Sequence, residues 1–113
     1  MKTTSLGQKA EEAVAHLLIK NGYKMLDTNW RTRYCEIDII AAKDKVVYFI
    51  EVKYRSSADQ GDGLAYITPE KQRQVRFAAN LWTSQNNYEG DWRIMAAAVA
   101  GPGYEKIDIV NID

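Results

Sequence analysis

The chain has 113 residues, 15 Lys and Arg against 15 Asp and Glu, and 46% hydrophobic residues, proportions that suit one domain, 1–113, built around a single core. No apolar run approaches the roughly 20 residues of a membrane span, and the start, Met1-Lys2-Thr3-Thr4-Ser5, lacks a signal-peptide core, so neither membrane insertion nor export is expected. Cys35 is the single cysteine, which excludes an intrachain disulfide and a cysteine-rich zinc site and fits a reducing cytoplasm.

Zero formal net charge argues weakly against a nucleic-acid binder, but the charge is unevenly spread. Residues 1–76 carry 13 of the 15 basic residues and 10 of the 15 acids, while residues 77–113 carry 2 and 5. With Glu11, Glu36, Asp38 and Glu51 gathered around a cation, the remainder of the first two-thirds is basic, and a local basic face is compatible with neutral net charge.

Ser5 with Gln8 reads as a capping box that opens a first helix. Ala10, Ala13, Val14, Leu17 and Leu18 follow the spacing of one buried stripe, and Asn21-Gly22 ends the helix. Tyr23 to Trp30 reads as a strand. Cys35 to Ala42 and Lys45 to Tyr54 read as two more, joined through Lys43-Asp44. Residues 56–63, Ser-Ser-Ala-Asp-Gln-Gly-Asp-Gly, are a loop by composition. Thr68 as N-cap and Pro69 in the first turn open a second helix, with a stripe of Lys71, Val75, Ala78, Ala79 and Trp82, running to about Gln85. Trp92 to Ala100 is an apolar strand, Gly101-Pro102-Gly103 a turn, and Tyr104 to Ile112 a final strand. The order α-β-β-β-α-β-β predicts an α/β sandwich, a central mixed sheet flanked by helices.

Charges interrupt two of the apolar strands. Alternation places Glu36, Asp38 and Ile40 on one face, and Ile37, Ile39 and Ala41 on the other. On the next strand Val47, Phe49, Glu51 and Lys53 share a face. A hairpin turning near Lys43-Asp44 brings Asp38 and Glu51 to similar heights. Two carboxylates beside a lysine suit a hard divalent cation, Mg2+ or Mn2+, for phosphodiester cleavage. Lys53 would orient the attacking water or stabilise charge building up on the phosphorus. The competing reading is of edge-of-sheet charges in salt bridges. Acids within apolar strands favour the site, because a hydrophobic core has no use for three charges there. In helical phase Glu11 falls about 60° from Val14, at the edge of the buried stripe, and Glu12 falls on the opposite side. Glu11 is thus a further candidate acid, with an ordinary flanking glutamate as the alternative.

Arg31, Arg33, Tyr54, Arg55 and Lys71 are candidates for a phosphate-facing surface. Lys71 is the strongest of them because it lies on the apolar stripe of its helix, while Arg73 reads as a solvated charge. Trp30, Trp82 and Trp92 read as core, His16 as exposed, and Cys35 as a packed thiol.

These motifs together resemble the YraN family, bacterial proteins assigned to the restriction-endonuclease-like, PD-(D/E)XK fold. The resemblance runs through Gly7, Glu11, Gly22-Tyr23, Asn29-Trp30-Arg31, Cys35 to Ala41, Tyr48 to Arg55, and Lys71 within Thr68-Pro69-Glu70-Lys71-Gln72. The arrangement is also similar to archaeal Holliday-junction resolvases. The resemblance implies Asp38 and Glu51 as metal ligands, Lys53 as the catalytic lysine and Glu11 as an accessory acid. Cys35 stands where the family usually has a glycine, and a side chain there could narrow the site.

The leading expectation is a metal-dependent DNA nuclease acting on branched or single-stranded DNA. The alternatives are a nucleic-acid-binding module without turnover, and a protein-interaction role for the fold. A homodimer would provide two cuts on a duplex, although no residue in the sequence specifies one.

Overall fold

The computed structural model describes residues 6–55 and 67–112. Its elements are α1 (Leu6–Lys20), β1 (Lys24–Arg31), β2 (Glu36–Lys43), β3 (Val46–Arg55), α2 (Pro69–Gln85), β4 (Asp91–Ala100) and β5 (Lys106–Asn111). The described strands form one sheet in the order β1-β2-β3-β4-β5. All neighbours are antiparallel except β3 and β4, which run parallel, so the sheet is mixed, as expected. A parallel pair cannot be closed by a hairpin, and α2 lies within the connection that joins these two strands.

The helices cover opposite faces. Ala10, Val14 and Leu18 of α1 pack with Ile39, Ala41, Ile50, Met95, Ala97 and Val99. Val75, Ala78, Ala79 and Trp82 of α2 pack with Ile37, Ile40, Val47, Phe49 and Ile94. The pleat explains the division on β3 and β4, where Phe49 and Ile94 point one way and Ile50 and Met95 the other. The Phe49 ring meets Trp82 and Trp92 edge-on, with both centroid separations 5.6 Å, so these tryptophans belong to the core, as the sequence predicts. Among the described residues no helix is long and apolar enough to cross a membrane.

The structure departs from simple patterning at several points. Ile37 packs on the α2 side while Ile39 packs on the α1 side; strict alternation would have kept them together. The β1–β2 pairing also shifts register between Met25 and Asp27, and Asn29 has a left-handed φ of 51°, so this edge of the sheet is not a regular ladder. The β2–β3 hairpin turns through Asp44 and Lys45 (φ 52° and 68°), with Lys43 opposite Val46. That is one residue later than expected, because a two-residue hairpin of right-handed twist requires positive φ at both central positions. The final strand is shorter than expected, beginning at Lys106 after the turn. The Ser5 cap and the 56–63 loop lie outside the described residues.

Candidate active site

The site lies where β3 parts from β2. From Lys43↔Val46 to Ile39↔Ile50 the two strands pair regularly. Beyond that point β3 remains paired with β4 as far as Arg55↔Ala100. The Val52 N–H instead donates to the Asp38 carboxylate, Oδ2, at 2.8 Å. A side chain thus takes over the work of a ladder hydrogen bond, and this satisfies a strand N–H that burial would otherwise penalise. Asp38 is thereby fixed at the fork, one residue past the last β2–β3 pair.

Glu51, the first β3 residue past the fork, is 5% exposed and is the buried charged residue of the described core. Its carboxyl is in hydrogen-bonding contact with that of Asp38. Its Oε1 lies 2.7 Å from Lys71 Nζ on α2. Glu11 reaches the cluster from α1, where its carboxyl contacts both Asp38 and the Asn29 side chain. The helical phase of Glu11 at the edge of the α1 stripe therefore carries it to the sheet, while Glu12 is exposed.

Crowding acids in a poorly solvated place raises their pKa values. Glu51 is pushed from 4.5 to about 7 by burial first and by the Asp38 charge second, and the Lys71 ion pair only partly opposes this. Glu11 is likewise raised from 4.5 to about 7, by burial and then by Asp38, with the Asn29 hydrogen bond pulling the other way. Asp38 is raised by burial, against the hydrogen bond from Val52 and the contact with Glu51. Burial lowers the Lys71 pKa, but its hydrogen bond and attraction to Glu51 outweigh that effect and leave it raised. At neutral pH the three acids are thus an electrostatically unfavourable group, only partly compensated by one ammonium.

The other expected residues divide into those near the acids and those elsewhere. Lys53 is exposed, two residues beyond Glu51 on β3. Arg31 pairs with Glu36 at 3.3 Å, with both side chains largely exposed, so little stability rests on that pair. The Arg33 guanidinium lies 5.4 Å from the centroid of the Tyr34 ring. Tyr54 packs against the α1-side core rather than facing outward; its ring tilts on Tyr104 and its hydroxyl donates to the Gly101 carbonyl at 3.3 Å. Arg55 is half-buried at the end of β3.

A cleft of about 480 Å³ opens over Glu11 and Asp38, lined also by Asn29, Arg31 and Glu36, with the buried Glu51 behind Asp38 rather than in the cleft wall. Among the described residues no three His, Cys, Asp or Glu side chains form a ready-made metal cage. The donor set nevertheless fits Mg2+ or Mn2+, which commonly use one or two carboxylates and complete the shell with water and phosphate oxygens. Asp38 and Glu51 are such a pair, with Glu11 beside Asp38.

The sequence profile described as "Uncharacterised protein family UPF0102" matches residues 10–112. The chain belongs to the UPF0102 family. A UPF0102 protein of Prosthecochloris aestuarii is 39% identical over 109 residues, covering 96% of this chain and 86% of the relative. Another, from Fusobacterium nucleatum, is 34% identical over 112 residues, covering 99% and 93%. A third, from Alkaliphilus metalliredigens, is 34% identical with 95% of both chains covered. The match agrees with the YraN-type resemblance in the motifs, and it spans every element that builds the fork.

In this UPF0102 chain sequence reasoning brought Glu11, Asp38 and Glu51 together but missed how Lys71 joins them. It assigned Lys71 to phosphate contact, although a lysine on the apolar stripe of α2 was the available signal for a buried partner. Asn29 was also missed as a partner of Glu11. Its role depends on a backbone kink that no local pattern announces.

Proposed function

We propose that this chain is a metal-dependent nuclease with a restriction-endonuclease-like fold, hydrolysing phosphodiester bonds in DNA. The observation that carries the reading is the contact of Asp38 with Glu51 at the β2–β3 fork, with Glu11 adjoining Asp38. Carboxylates whose pKa values are raised by burial and mutual repulsion are matched to a cation that removes both penalties. Asp38 and Glu51 would hold Mg2+ or Mn2+, with Glu11 as the adjoining acid, and the bound cation would neutralise the scissile phosphate and lower the pKa of the attacking water.

The chain's own residues do the rest. Asp38 is held rigid by Val52. Lys71 keeps positive charge at Glu51, which limits the repulsion between the acids. Lys53, exposed beyond Glu51, stabilises the charge that builds up on the phosphoryl oxygens. Arg31, Arg33 and Arg55 contribute phosphate contacts that hold the strand over the cleft. The substrate is cytoplasmic DNA, and a homodimer would serve both strands of a duplex.

A second reading, a nucleic-acid-binding module without turnover, is favoured by one observation. The Lys71 ammonium already sits 2.7 Å from Glu51, where a metal ligand would be needed. A cleavage assay on single-stranded, duplex and four-way-junction DNA, with Mg2+, Mn2+ or chelator, separates the two. The nuclease reading expects metal-dependent cutting of at least one DNA form. It also expects that cutting to be lost in Lys53→Ala while most DNA affinity remains, since one lysine among many phosphate contacts adds little to binding. Binding without cutting under every condition gives the second reading the lead. Wild-type cutting by Lys53→Ala would remove the role given to that lysine.

A further inference from the structure

Next to the acidic cleft is a second and larger groove, about 700 Å³, between α2 and the link from β1 to β2. Arg31 and Glu36 line both cavities, so their ion pair forms a shared wall. Lys71 lines the groove and also pairs with Glu51. Whatever occupies the groove is therefore adjacent to the acids.

Two aromatic rings line this groove although neither belongs to the core. Phe77 is 54% exposed. It lies off the buried α2 stripe of Val75, Ala78, Ala79 and Trp82, on a face it shares with Glu70, Arg73 and Gln74 at helical spacing. Tyr34 is 73% exposed and sits in a short link that is well tied down. Its N–H donates to Thr32 Oγ1 at 3.1 Å, and the Thr32 N–H donates to the Cys35 carbonyl at 2.8 Å. Arg33 lies against the Tyr34 ring at 5.4 Å, yet the ring's exposure leaves room for another planar group. Arg73, expected from sequence to be merely solvated, lines the same groove.

Exposed rings interleaved with guanidinium groups suit a chain that offers flat apolar faces and regular negative charge together. Base stacking on aromatic side chains is available only to unpaired bases. We infer that the groove between Tyr34 and Phe77 binds single-stranded DNA, stacking an unpaired base on these rings while Arg73 contacts the neighbouring phosphate. This inference rests on the nucleic-acid reading above and narrows its substrate to DNA with an unpaired segment. The volume lies within the roughly 300–1,000 Å³ of typical ligand sites, which suits a base and its sugar rather than a duplex.

The test is a binding measurement in chelator, so that no strand is cut. The probes are a fluorescein-labelled 12-nucleotide single strand of mixed sequence, a strand of equal length and charge with abasic residues at its centre, and the corresponding duplex. Wild-type protein is expected to bind the base-bearing strand about tenfold more tightly than the abasic strand, with duplex a weaker competitor. Tyr34→Ser and Phe77→Ser should each reduce that ratio several-fold, and the double variant should bring it near one, with affinity for the abasic strand unchanged. Tyr34→Trp should keep the preference. Arg73→Gln should weaken binding to both strands alike and flatten the salt dependence. Thermal melts establish that each variant is folded; all three positions are on the surface, and a melting shift is not expected. A wild-type ratio of one, an unchanged ratio in the folded double variant, or equal binding of duplex overturns the inference. The outcome is separate from that of the nuclease reading. Base-dependent binding without any metal-dependent cutting sustains the groove and removes the nuclease, while cutting with base-independent affinity does the reverse.

Discussion

Asp38 has two tasks that compete. As a hydrogen-bond acceptor it completes the backbone of β3 through Val52, and as a charge it raises the pKa of Glu11 and Glu51. Asp38→Asn separates them, because an asparagine oxygen can still accept from Val52 while the charge is gone. In the metal-free protein at pH 8 this variant is expected to melt a few degrees higher, since relief of roughly 0.5 kcal/mol moves the midpoint of a domain this size by about 2–4 °C. Mn2+ should raise the wild-type melting temperature and leave the variant almost unmoved. Parallel thermal scans with Mn2+ and with chelator measure both effects, and equal Mn2+ shifts in the two proteins would remove Asp38 from the ligand set.

At the scale of elements, the start of α2 aims Lys71 at the acids. Thr68 is the N-cap, with extended backbone, and its hydroxyl accepts from the Lys71 N–H at 3.1 Å. Pro69 in the first turn fixes the entry of the chain. Thr68→Ala should cost about 1 kcal/mol in urea unfolding, and Thr68→Ser should recover most of it. An alanine variant as stable as wild type would mean that the cap does not hold this turn. The β2–β3 hairpin illustrates a local cost carried for the register. Asp44 and Lys45 both occupy the left-handed region, where a residue with a Cβ is disfavoured by about 1–2 kcal/mol. Lys45→Gly is expected to raise the unfolding free energy measured in urea by about 0.5–1 kcal/mol after the added freedom of glycine in the unfolded chain is subtracted, and the midpoint with it. A lowered midpoint would indicate that the Lys45 side chain contributes more than its backbone costs.

For the whole molecule, the raised acids make stability depend on pH. Unfolding returns Glu11 and Glu51 from about 7 to their ordinary 4.5. Between those values the native state holds protons that the unfolded chain has released. Their contribution is therefore fully favourable below about 4.5 and is lost as pH rises through about 7. In chelator the urea midpoint should fall between pH 5.5 and pH 8, and Glu11→Gln with Glu51→Gln should flatten that slope. Metal binding must displace the same protons, so stabilisation by Mn2+ should be larger at pH 8 than at pH 5.5. A metal-free midpoint that rises through this interval would contradict the assignment of both glutamates.

Much of this was written in local sequence. The apolar stripe of α1, the cap and proline of α2, and the β-branched and aromatic runs of the strands predict the element order because helix and strand impose different periods on burial. The same periods placed Glu11 at the edge of a stripe and set Asp38 and Glu51 within apolar strands, which is why the acidic cluster was legible before the fold. Three features required tertiary structure. The fork that lets Asp38 take the Val52 N–H depends on β3 leaving β2 while keeping β4, and that is a competition between two neighbours which neither strand encodes alone. The partnership of Lys71 with Glu51 depends on where α2 crosses the sheet. The groove lined by both Tyr34 and Phe77 joins a β1–β2 link to the outer face of a helix more than forty positions away in the chain. Periodicity reports which side of an element is buried, but which distant element covers that side is decided by packing.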